Sequence, residues 1–484
     1  MNTNIMTQTD SYKLSHWNMY PEGTEFVYSY FESRKGAKFD KTPFFGLQYL
    51  LKEYLVGVVV TQAKIDQAAR LCKAHFGSDT YFNRKGWEYI LAKHGGKLPI
   101  RIKAIPEGTP VTVNNVLMTV ENTDPKVPWL TNYIESLLTY VWYSSTVAAT
   151  SRACKVMLTD FLSRTSDNPA AVNFMLHDFG YRGATTNEAA AIGGAAHIIN
   201  FLGTDTVPAM EMAADYYGGI RDSSRDGLDY NPYEGLAFSV AATEHSIMTA
   251  RGPEGEGEIL GELLDKYPKG ILATVADSYD IYNYVENLVC KRFKDRILAR
   301  DGVLVVRPDS ISPLHPTPEG ETLWIVQTLA NNLGYTMNSK GFMVLNPKIR
   351  VLWGDGIDKD GIEKILATLE KAGFSSENMV FGMGGGLLQK LNRDTQRFAF
   401  KSSAQCRFGQ WHDVYKLPKD LSKASKRGRL ALVKYNDGTF ATVPEYQPNY
   451  QAGGMTGDLL ETVFLDGDLK SEITFAEVRK NAAI

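Results

Sequence analysis

Cysteine is scarce in this chain of 484 residues, which contains four of them: Cys72, Cys154, Cys290 and Cys406. They lie far apart and no two are separated by only two residues, so the sequence predicts neither a disulfide framework nor a structural zinc site. A reducing compartment is therefore the expected environment.

Long apolar runs are also lacking. No run approaches the roughly 18 apolar residues of a membrane span, and the N-terminal MNTNIMTQTDSYKLSHW lacks the basic and apolar regions of a secretory signal. An excess of one charge is missing too, since 52 basic residues stand against 55 acidic ones and the net charge is −3. We therefore expect a cytoplasmic protein without a membrane or nucleic acid partner.

Two styles of sequence can be separated along the chain. Residues 1 to about 150 mix β-rich pieces with helical stretches, and short strands and turns return from about 390 to the end. In the last region, Asn436-Asp437-Gly438 predicts a hairpin turn. In the first region we predict strands at 25–31 and 111–120 and helices at 62–76 and 129–143.

The middle of the chain alternates between strands and helices. The short apolar runs ILATVA, VLVV, IRVLW and NMVF each lead into a turn rich in Gly, Asp or Arg and then into a helical pattern. This alternation predicts a parallel sheet of the α/β class. In a β/α barrel the polar residues at the strand ends form the active site, although Asp and Gly there could serve only as turn formers.

These patterns predict two domains. Residues 1–150 plus 390–484 form a β-rich domain with helices, and residues 151–389 form an α/β barrel that carries the chemistry.

A glycine-rich turn lies late in the predicted barrel, within Phe381–Lys390 (FGMGGGLLQK). It follows a strand and opens a helix, which is the arrangement that presents bare backbone N–H groups to a phosphate. It does not match GxxxxGK[ST] or GxGxxG. A tight turn without a ligand is the alternative interpretation.

Two further motifs carry charged or nucleophilic groups. In VRPDS, Arg307 could grip a phosphate or an aromatic ring edge, and Asp309 could bind ribose hydroxyls or Mg²⁺ waters. In ATEHS, Glu244 adjoins His245, whose imidazole could be a transiently phosphorylated nucleophile. A surface ion pair and a structural histidine are the alternatives.

Two more motifs suit a flat ligand. LHDFGYRG supplies the aromatic face of Phe179 and the cation of Arg182. In GTDTV, Asp205 could accept a hydrogen bond from a substrate amide or could be a turn residue. A core aromatic with a capping polar cluster is the alternative for the first motif.

Taken in order, these motifs resemble one known family. The segments TDSYKLSH, LHDFGYRG, NFLGTDTV, EHS, ADSYDIYN, RPDS, GDG and GGGLLQK are similar to those of the nicotinamide phosphoribosyltransferases, which are type II phosphoribosyltransferases. The likeness runs from about residue 8 to about residue 480. Eight ordered motifs make it highly specific.

The resemblance implies an enzyme that joins nicotinamide to phosphoribosyl pyrophosphate (PRPP), giving nicotinamide mononucleotide (NMN) and pyrophosphate, with Mg²⁺ and with ATP as a co-substrate. It implies an irregular (β/α) barrel with an additional β-rich domain, in a homodimer whose active sites are shared between subunits.

The resemblance also implies residue roles. The pyridine ring would lie between Phe179 and the partner subunit's Tyr12, with Asp205 on the carboxamide, Arg307 near the ring and Asp309 on the ribose or on Mg²⁺ water. His245 would be phosphorylated by ATP beside Glu244. The ribose-phosphate pocket would be lined by Arg182, Asp277, Gly354, Asp355, Gly384 and Gly385. The pyrophosphate or ATP phosphates would be held by Arg34, Arg393, Lys401, Lys416 and Lys423. No side chain would bind Mg²⁺ directly, although Asp309 and Asp277 could order its waters.

The competing interpretations are a nicotinate phosphoribosyltransferase and a non-catalytic binding or signalling relative. Asp205 favours nicotinamide, because a carboxylate accepts a hydrogen bond from a carboxamide and repels the carboxylate of nicotinate. A non-catalytic protein has no need to combine His245, Arg307, Asp309 and the glycine turn.

Overall fold

The computed structural model describes residues 4–219, 231–419, 424–445 and 454–483. The β-strands in these ranges are β1 (Thr24–Ser33), β2 (Lys41–Pro43), β3 (Ile100–Ala104), β4 (Pro110–Thr112), β5 (Val116–Asn122), β6 (Leu176–Asp178), β7 (Gly203–Thr204), β8 (Ala241–Ala242), β9 (Lys269–Val275), β10 (Asp301–Arg307), β11 (Tyr335–Met337), β12 (Met343–Leu345), β13 (Ile349–Trp353), β14 (Met379–Met383), β15 (Phe398–Arg407), β16 (Gln410–Asp413), β17 (Leu430–Lys434), β18 (Phe440–Pro444), β19 (Glu461–Leu465) and β20 (Asp468–Leu469).

The α-helices in the same ranges are α1 (Leu47–Leu50), α2 (Gln62–Phe76), α3 (Arg84–His94), α4 (Leu130–Tyr133), α5 (Glu135–Thr139), α6 (Val141–Thr165), α7 (Asn187–Ile198), α8 (Pro208–Tyr217), α9 (His245–Met248), α10 (Gly252–Lys266), α11 (Lys294–Ala299), α12 (Pro318–Leu333), α13 (Lys359–Lys371), α14 (Gly385–Leu388) and α15 (Phe475–Ala482). Two π-helical segments, Leu51–Leu55 and Asn283–Arg292, occur as well.

The chain divides into two compact units. The first consists of Met1–Ala149, Ala213–Pro232 and Leu391–Ala483, and the second consists of Thr150–Met212 and Tyr233–Lys390. Each unit is built around its own seven-stranded sheet.

The sheet of the first unit is antiparallel, with the order β16-β15-β1-β5-β3-β19-β20. The pair formed by β1 and β15 joins distant parts of the chain, since Ser33 of β1 pairs with Phe398 of β15. The rings of Phe31 and Phe398 stack with their centroids 5.1 Å apart, and both side chains are buried. Apolar contacts of this kind hold an N-terminal and a C-terminal segment of the chain in one core.

The sheet of the second unit is parallel, with the order β7-β6-β14-β13-β10-β9-β8. Phe238, three residues before β8, forms a parallel bridge with Gly203 of β7. The two edge strands are therefore brought together, and the sheet curls into an irregular barrel. The predicted α/β fold with an additional antiparallel sheet is confirmed.

Local predictions had mixed outcomes. The helix predicted at 62–76 is confirmed as α2, which begins after the N-cap Thr61 and ends at Gly77, whose φ is +71°. The single helix predicted at 129–143 is wrong, because the chain forms α4, α5 and the start of α6 instead. The hairpin turn at 436–438 is confirmed between β17 and β18.

Within the described residues, no helix combines the length and apolar character needed to cross a membrane. The sequence assigns no role to the segment 218–238, of which residues 220–230 lie outside the described ranges.

Candidate active site

Polar side chains collect at one rim of the parallel sheet in the second unit. Because all its strands run in the same direction, their carboxyl ends lie at the same end of the barrel. The residues at or just after these ends are Asp178 and Phe179 (β6), Asp205 (β7), Asp277 and Ser278 (β9), Arg307 and Asp309 (β10), Gly354 and Asp355 (β13), and Gly384 (β14).

Phe179 forms a flat wall of this rim. A Cβ added to Gly382 would lie 2.1 Å from its ring, and one added to Gly354 would lie 3.2 Å from it. The guanidinium carbon of Arg307 lies 5.2 Å from the ring centroid. Only glycine therefore allows this ring to pack so close to β14, and a cation is held against its face.

Arg307 is fixed by an ion pair with its near neighbour. Its Nη2 donates to Oδ1 of Asp309 at 2.9 Å, and its Nε lies 3.3 Å from the same oxygen. Both side chains are mostly buried. The pair therefore orients the guanidinium plane beside Phe179.

His245 opens the short helix α9 and faces two carboxylates. Its Nε2 lies 3.6 Å from Oδ2 of Asp309 and 3.9 Å from Oδ1 of Asp277. Its Nδ1 lies 3.2 Å from the hydroxyl of Ser278. Both ring nitrogens thus have polar neighbours, while nearly half of the side chain is exposed to solvent (48%). Glu244 precedes it as the N-cap, and its carboxylate accepts a hydrogen bond from Ser246.

A third carboxylate, Asp355, lies near the two that face this histidine. The side chain of Asp277 is mostly buried. Its Oδ2 accepts a hydrogen bond from Ser310, and its Oδ1 receives none from the described part of the chain. Burial raises the pKa of Asp355, and the charges of Asp309 and Asp277 raise it further. The site therefore concentrates negative charge, which a bound cation would compensate.

A group of three or more His, Cys, Asp or Glu side chains that could enclose a metal ion is absent from the described residues. The unpartnered oxygen of Asp277 still fits a water ligand of a hard cation that is carried by a phosphorylated substrate.

A cavity of about 350 Å³ lies inside the barrel and has Phe179, Arg307, Asp205 and Ser239 in its wall. The remaining wall residues are mostly apolar: Phe174, His177, Phe238, Val240, Ala242, Ile271, Ala273, Val303, Val305, Arg350, Leu352 and Val380. A pocket of this size and lining suits a small flat organic molecule with one polar end.

Burial shifts the pKa of His177, which lines the cavity, and of the adjacent Asp178. It lowers the pKa of His177, against the opposing charge of Asp205. It raises the pKa of Asp178 to about 6. Asp178 Oδ1 accepts the N–H of Gly180 at 2.7 Å, and this bond shapes the turn that follows β6.

The glycine turn leads into α14, which is a single helical turn. A Cβ built on Gly385 would meet no atom within 4 Å, so open space borders the backbone there. A Cβ built on Gly183, next to Arg182, would lie 3.7 Å from Gly385. The exposed Arg182 is therefore anchored beside the turn predicted to bind phosphate.

Five other predicted residues belong to the first unit. Burial lowers the pKa of Lys401, and the charges of Arg34 and Lys416 add to this effect. Partial desolvation raises the pKa of Tyr12, the charges of Glu135 and Asp10 add to this effect, and Arg393 opposes it. Arg34, Lys401 and Lys416 thus form one basic cluster, and Arg393 lies near Tyr12. The remaining predicted residue, Lys423, lies outside the described ranges.

Three serines of the site were not predicted. Ser310 and Ser278 lie inside or beside predicted motifs and could have been found from their neighbours Asp309 and Asp277. Ser239 donates to Asp205 at 2.6 Å, although 34 residues separate the two. No pattern in the sequence indicates that contact.

Comparisons with known proteins agree with this geometry. Residues 4–102 match the family "Nicotinamide phosphoribosyltransferase, N-terminal domain", and residues 174–466 match the "Nicotinate phosphoribosyltransferase (NAPRTase) family". A nicotinamide phosphoribosyltransferase of Xanthomonas campestris pv. campestris is 43% identical, over 99% of this chain and 98% of that protein. One from Acinetobacter baylyi is 33% identical, over 99% of this chain and 97% of that protein.

Two solved structures share the fold at low sequence identity. The nicotinate-nucleotide pyrophosphorylase from Pyrococcus furiosus has a TM-score of 0.58 and 14% identity, over 99% of this chain and 95% of that one. Human nicotinic acid phosphoribosyltransferase has a TM-score of 0.54 and 15% identity, over 98% and 92%. The family matches and the full-length relatives together show that the chain belongs to the nicotinamide phosphoribosyltransferases, within the nicotinate phosphoribosyltransferase family.

Proposed function

We propose that the chain transfers the phosphoribosyl group of PRPP to nicotinamide and releases NMN and pyrophosphate, a reaction of NAD salvage. The observation that carries this proposal is that Phe179, Arg307 and Asp205 line one cavity. This cavity lies at the same barrel rim as His245 and the carboxylates that face it. The names of the full-length relatives support the same activity.

The cavity would hold the base. Phe179 offers a flat face for the pyridine ring, and the partner subunit's Tyr12 would cover the opposite face. Asp205 would accept a hydrogen bond from the carboxamide NH₂, and Arg307 would orient the ring from its position beside Phe179. These contacts fix the ring nitrogen for attack.

The transfer exchanges one bond for another. The C1–O bond of PRPP breaks with its electron pair going to pyrophosphate, and the pyridine nitrogen forms the new bond to C1. Cations that hold the leaving group lower this barrier. We assign that role to Arg34, Arg393, Lys401, Lys416 and Lys423, and the ribose-phosphate pocket to Arg182, Gly354, Asp355, Gly384 and Gly385.

Mg²⁺, when bound with PRPP, would neutralise charge on the pyrophosphate. Asp309 and Asp277 would hold its waters rather than the ion itself, in keeping with the unpartnered oxygen of Asp277.

ATP would act through His245. The imidazole would take the γ-phosphoryl group, ADP would leave, and water would later release phosphate from the ring. Glu244 would lie beside this step. Because the transfer to nicotinamide is chemically complete without ATP, the phosphohistidine would serve to tighten substrate binding.

The proposal includes the organisation of the protein. The enzyme would be a cytoplasmic homodimer in which each active site takes residues from both subunits. Its two domains would be residues 1–150 plus 390–484 and residues 151–389.

The test is to incubate the purified chain with PRPP, Mg²⁺ and either nicotinamide or nicotinate, with and without ATP, and to quantify the mononucleotide. We expect NMN from nicotinamide, stimulated by ATP. His245→Ala should abolish the stimulation and keep the basal rate. The matched control is His94→Gln, because His94 also contacts a carboxylate, that of Asp124 at 2.8 Å, in the first unit.

Other outcomes would contradict parts of the proposal. Product from nicotinate alone would overturn the substrate and the role of Asp205. An unchanged preference in Asp205→Asn would overturn that role alone. No product from either base would point to a non-catalytic relative.

A further inference from the structure

One contact in the cavity wall has no part in the roles proposed above. The hydroxyl of Ser239 donates to Oδ1 of Asp205 at 2.6 Å. Asp205 follows β7 and Ser239 precedes β8, so the bond spans the place where the two edges of the curled sheet meet. Both side chains line the same cavity as Phe179 and Arg307.

The backbone of Asp205 is held independently of this bond. Its N–H donates to the carbonyl of Asp178 at 2.9 Å, and Phe238, the residue before Ser239, donates its own N–H to the carbonyl of Leu202 at 2.7 Å. The two side chains are therefore brought together by the closure of the barrel. Their hydrogen bond then restricts the rotation of a carboxylate that is otherwise exposed.

A carboxylate has acceptor capacity for several hydrogen bonds. One donor on Oδ1 leaves capacity for a second donor from a ligand, and it fixes the plane in which that donor must approach. A carboxylate ordered before the ligand arrives loses less conformational freedom on binding. The same arrangement offers no donor to a ligand that carries a carboxylate at this position.

We propose that Ser239 is a positioning residue that determines base specificity, because its hydroxyl holds the carboxylate of Asp205 ready to accept the carboxamide of nicotinamide. This inference rests on the proposed function. Ser239 acts through Asp205 and takes no part in bond making.

The test compares steady-state kinetics of Ser239→Ala and Ser239→Thr with the wild type. We expect KM for nicotinamide to rise about tenfold in Ser239→Ala, the size of one hydrogen bond to a charged group. The kcat and the KM for PRPP should stay within about twofold, so the preference for nicotinamide over nicotinate falls in proportion. Ser239→Thr keeps the hydroxyl and should retain most of the preference.

Ser339→Ala is the matched control. The hydroxyl of Ser339 donates to Oδ1 of Asp167 at the same distance of 2.6 Å, also at an exposed site, and neither residue lines the cavity. This variant should leave both KM values unchanged.

A double-mutant cycle separates positioning from a general structural role. In an Asp205→Asn background, Ser239→Ala should add little to the loss in nicotinamide KM, because the group that Ser239 positions has already changed. Additive effects would overturn the inference. So would an unchanged KM in Ser239→Ala, or equal losses for both bases together with a lowered Tm. If the wild type makes NMN and these results appear, the inference alone fails; if the wild type makes none, the proposed function fails with it.

Discussion

Buried carboxylates have different surroundings in the two units of the chain. In the antiparallel unit, Glu121 accepts hydrogen bonds from Arg429 at 2.6 and 3.2 Å. Glu107 accepts the N–H groups of Gly46 and Gln48 and the hydroxyl of Tyr217.

In the parallel unit, four buried or mostly buried carboxyl groups each have one oxygen that receives no hydrogen bond from the described residues: Asp178, Glu256, Asp277 and Glu321. Burial raises the pKa of Glu256 to about 7, and the charges of Asp277 and Asp280 add to the shift. Unsatisfied buried carboxylates are costly to stability. Two of them, Asp178 and Asp277, lie at the carboxyl ends of β6 and β9, so this rim gives up some stability in forming the site. The carboxylates Glu107 and Glu121 of the first unit are instead satisfied by hydrogen bonds within that unit.

The largest expected effect tests the structural side of this contrast. Arg429→Leu should lower the free energy of unfolding by about 3–5 kcal/mol, because it leaves the mostly buried Glu121 and Glu445 without their shared cation. Urea unfolding measures the change. Arg101→Ala is the control, since Arg101 pairs with the same Glu121 from a much more exposed position; an equal loss in both variants would show that burial does not decide the effect.

A second prediction tests the site side through pH. The folded-state pKa of Asp178 is raised to about 6 from 3.8, so the folded state binds the proton more tightly and the free energy of unfolding falls as pH rises from about 4 to 6. The fall amounts to at most about 3 kcal/mol. Asp178→Asn should lack it and be more stable than the wild type at pH 7.5.

The control for this pH prediction has the opposite sign. The hydrogen bonds from Ser339 hold the pKa of Asp167 below its usual value. Asp167 therefore contributes stability that is lost as pH falls, and Asp167→Asn should remove that loss. Parallel pH profiles for the two variants would contradict the assignment.

A third prediction concerns the close packing of the site. Gly382→Ala places a Cβ 2.1 Å from the ring of Phe179, and the resulting shift should cost about 1–3 kcal/mol of stability. It should also raise the KM for nicotinamide. Gly457→Ala in the first unit meets no atom within 4 Å and should change neither quantity.

The smallest expected effect concerns an exposed carboxylate of the first unit. Glu477 and Thr474 form a capping box at the start of α15. Thr474→Ala should lower the free energy of unfolding by about 1 kcal/mol, as loss of an N-cap usually does. A loss as large as that of Arg429→Leu would mean that exposed and buried carboxylates count alike, and the contrast between the units would not hold.

Much of the fold could be predicted because four strands of the parallel sheet are continuous apolar runs. β9, β10, β13 and β14 are buried enough to have a clear signal, and their parallel order predicts that Asp277, Arg307 and Asp355 meet at one rim. β6, β7 and β8 have three, two and two residues and carry no pattern of their own. The sequence therefore could not predict that a bridge between Phe238 and Gly203 brings the edges of the sheet together.

The same limit applies within the site. Motifs that place charged residues close together in the sequence, such as the arginine and aspartate of RPDS, could be recognised from adjacent positions. The bond between Ser239 and Asp205 joins common residues far apart in the chain, and only the folded barrel brings them together. Helix α5 and its neighbours show a related failure, since local helical propensity does not reveal where tertiary contacts interrupt a helix.

The pairing of β1 with β15 has a consequence for biosynthesis. Ser33 lies 365 positions before its partner Phe398. At roughly 5–20 residues per second, a ribosome needs about 20–70 s between these two positions. β1 can pair early with β5, but its other edge must remain unpaired while the parallel sheet is synthesised. A chaperone that shields this edge during the interval would increase the yield of folded protein.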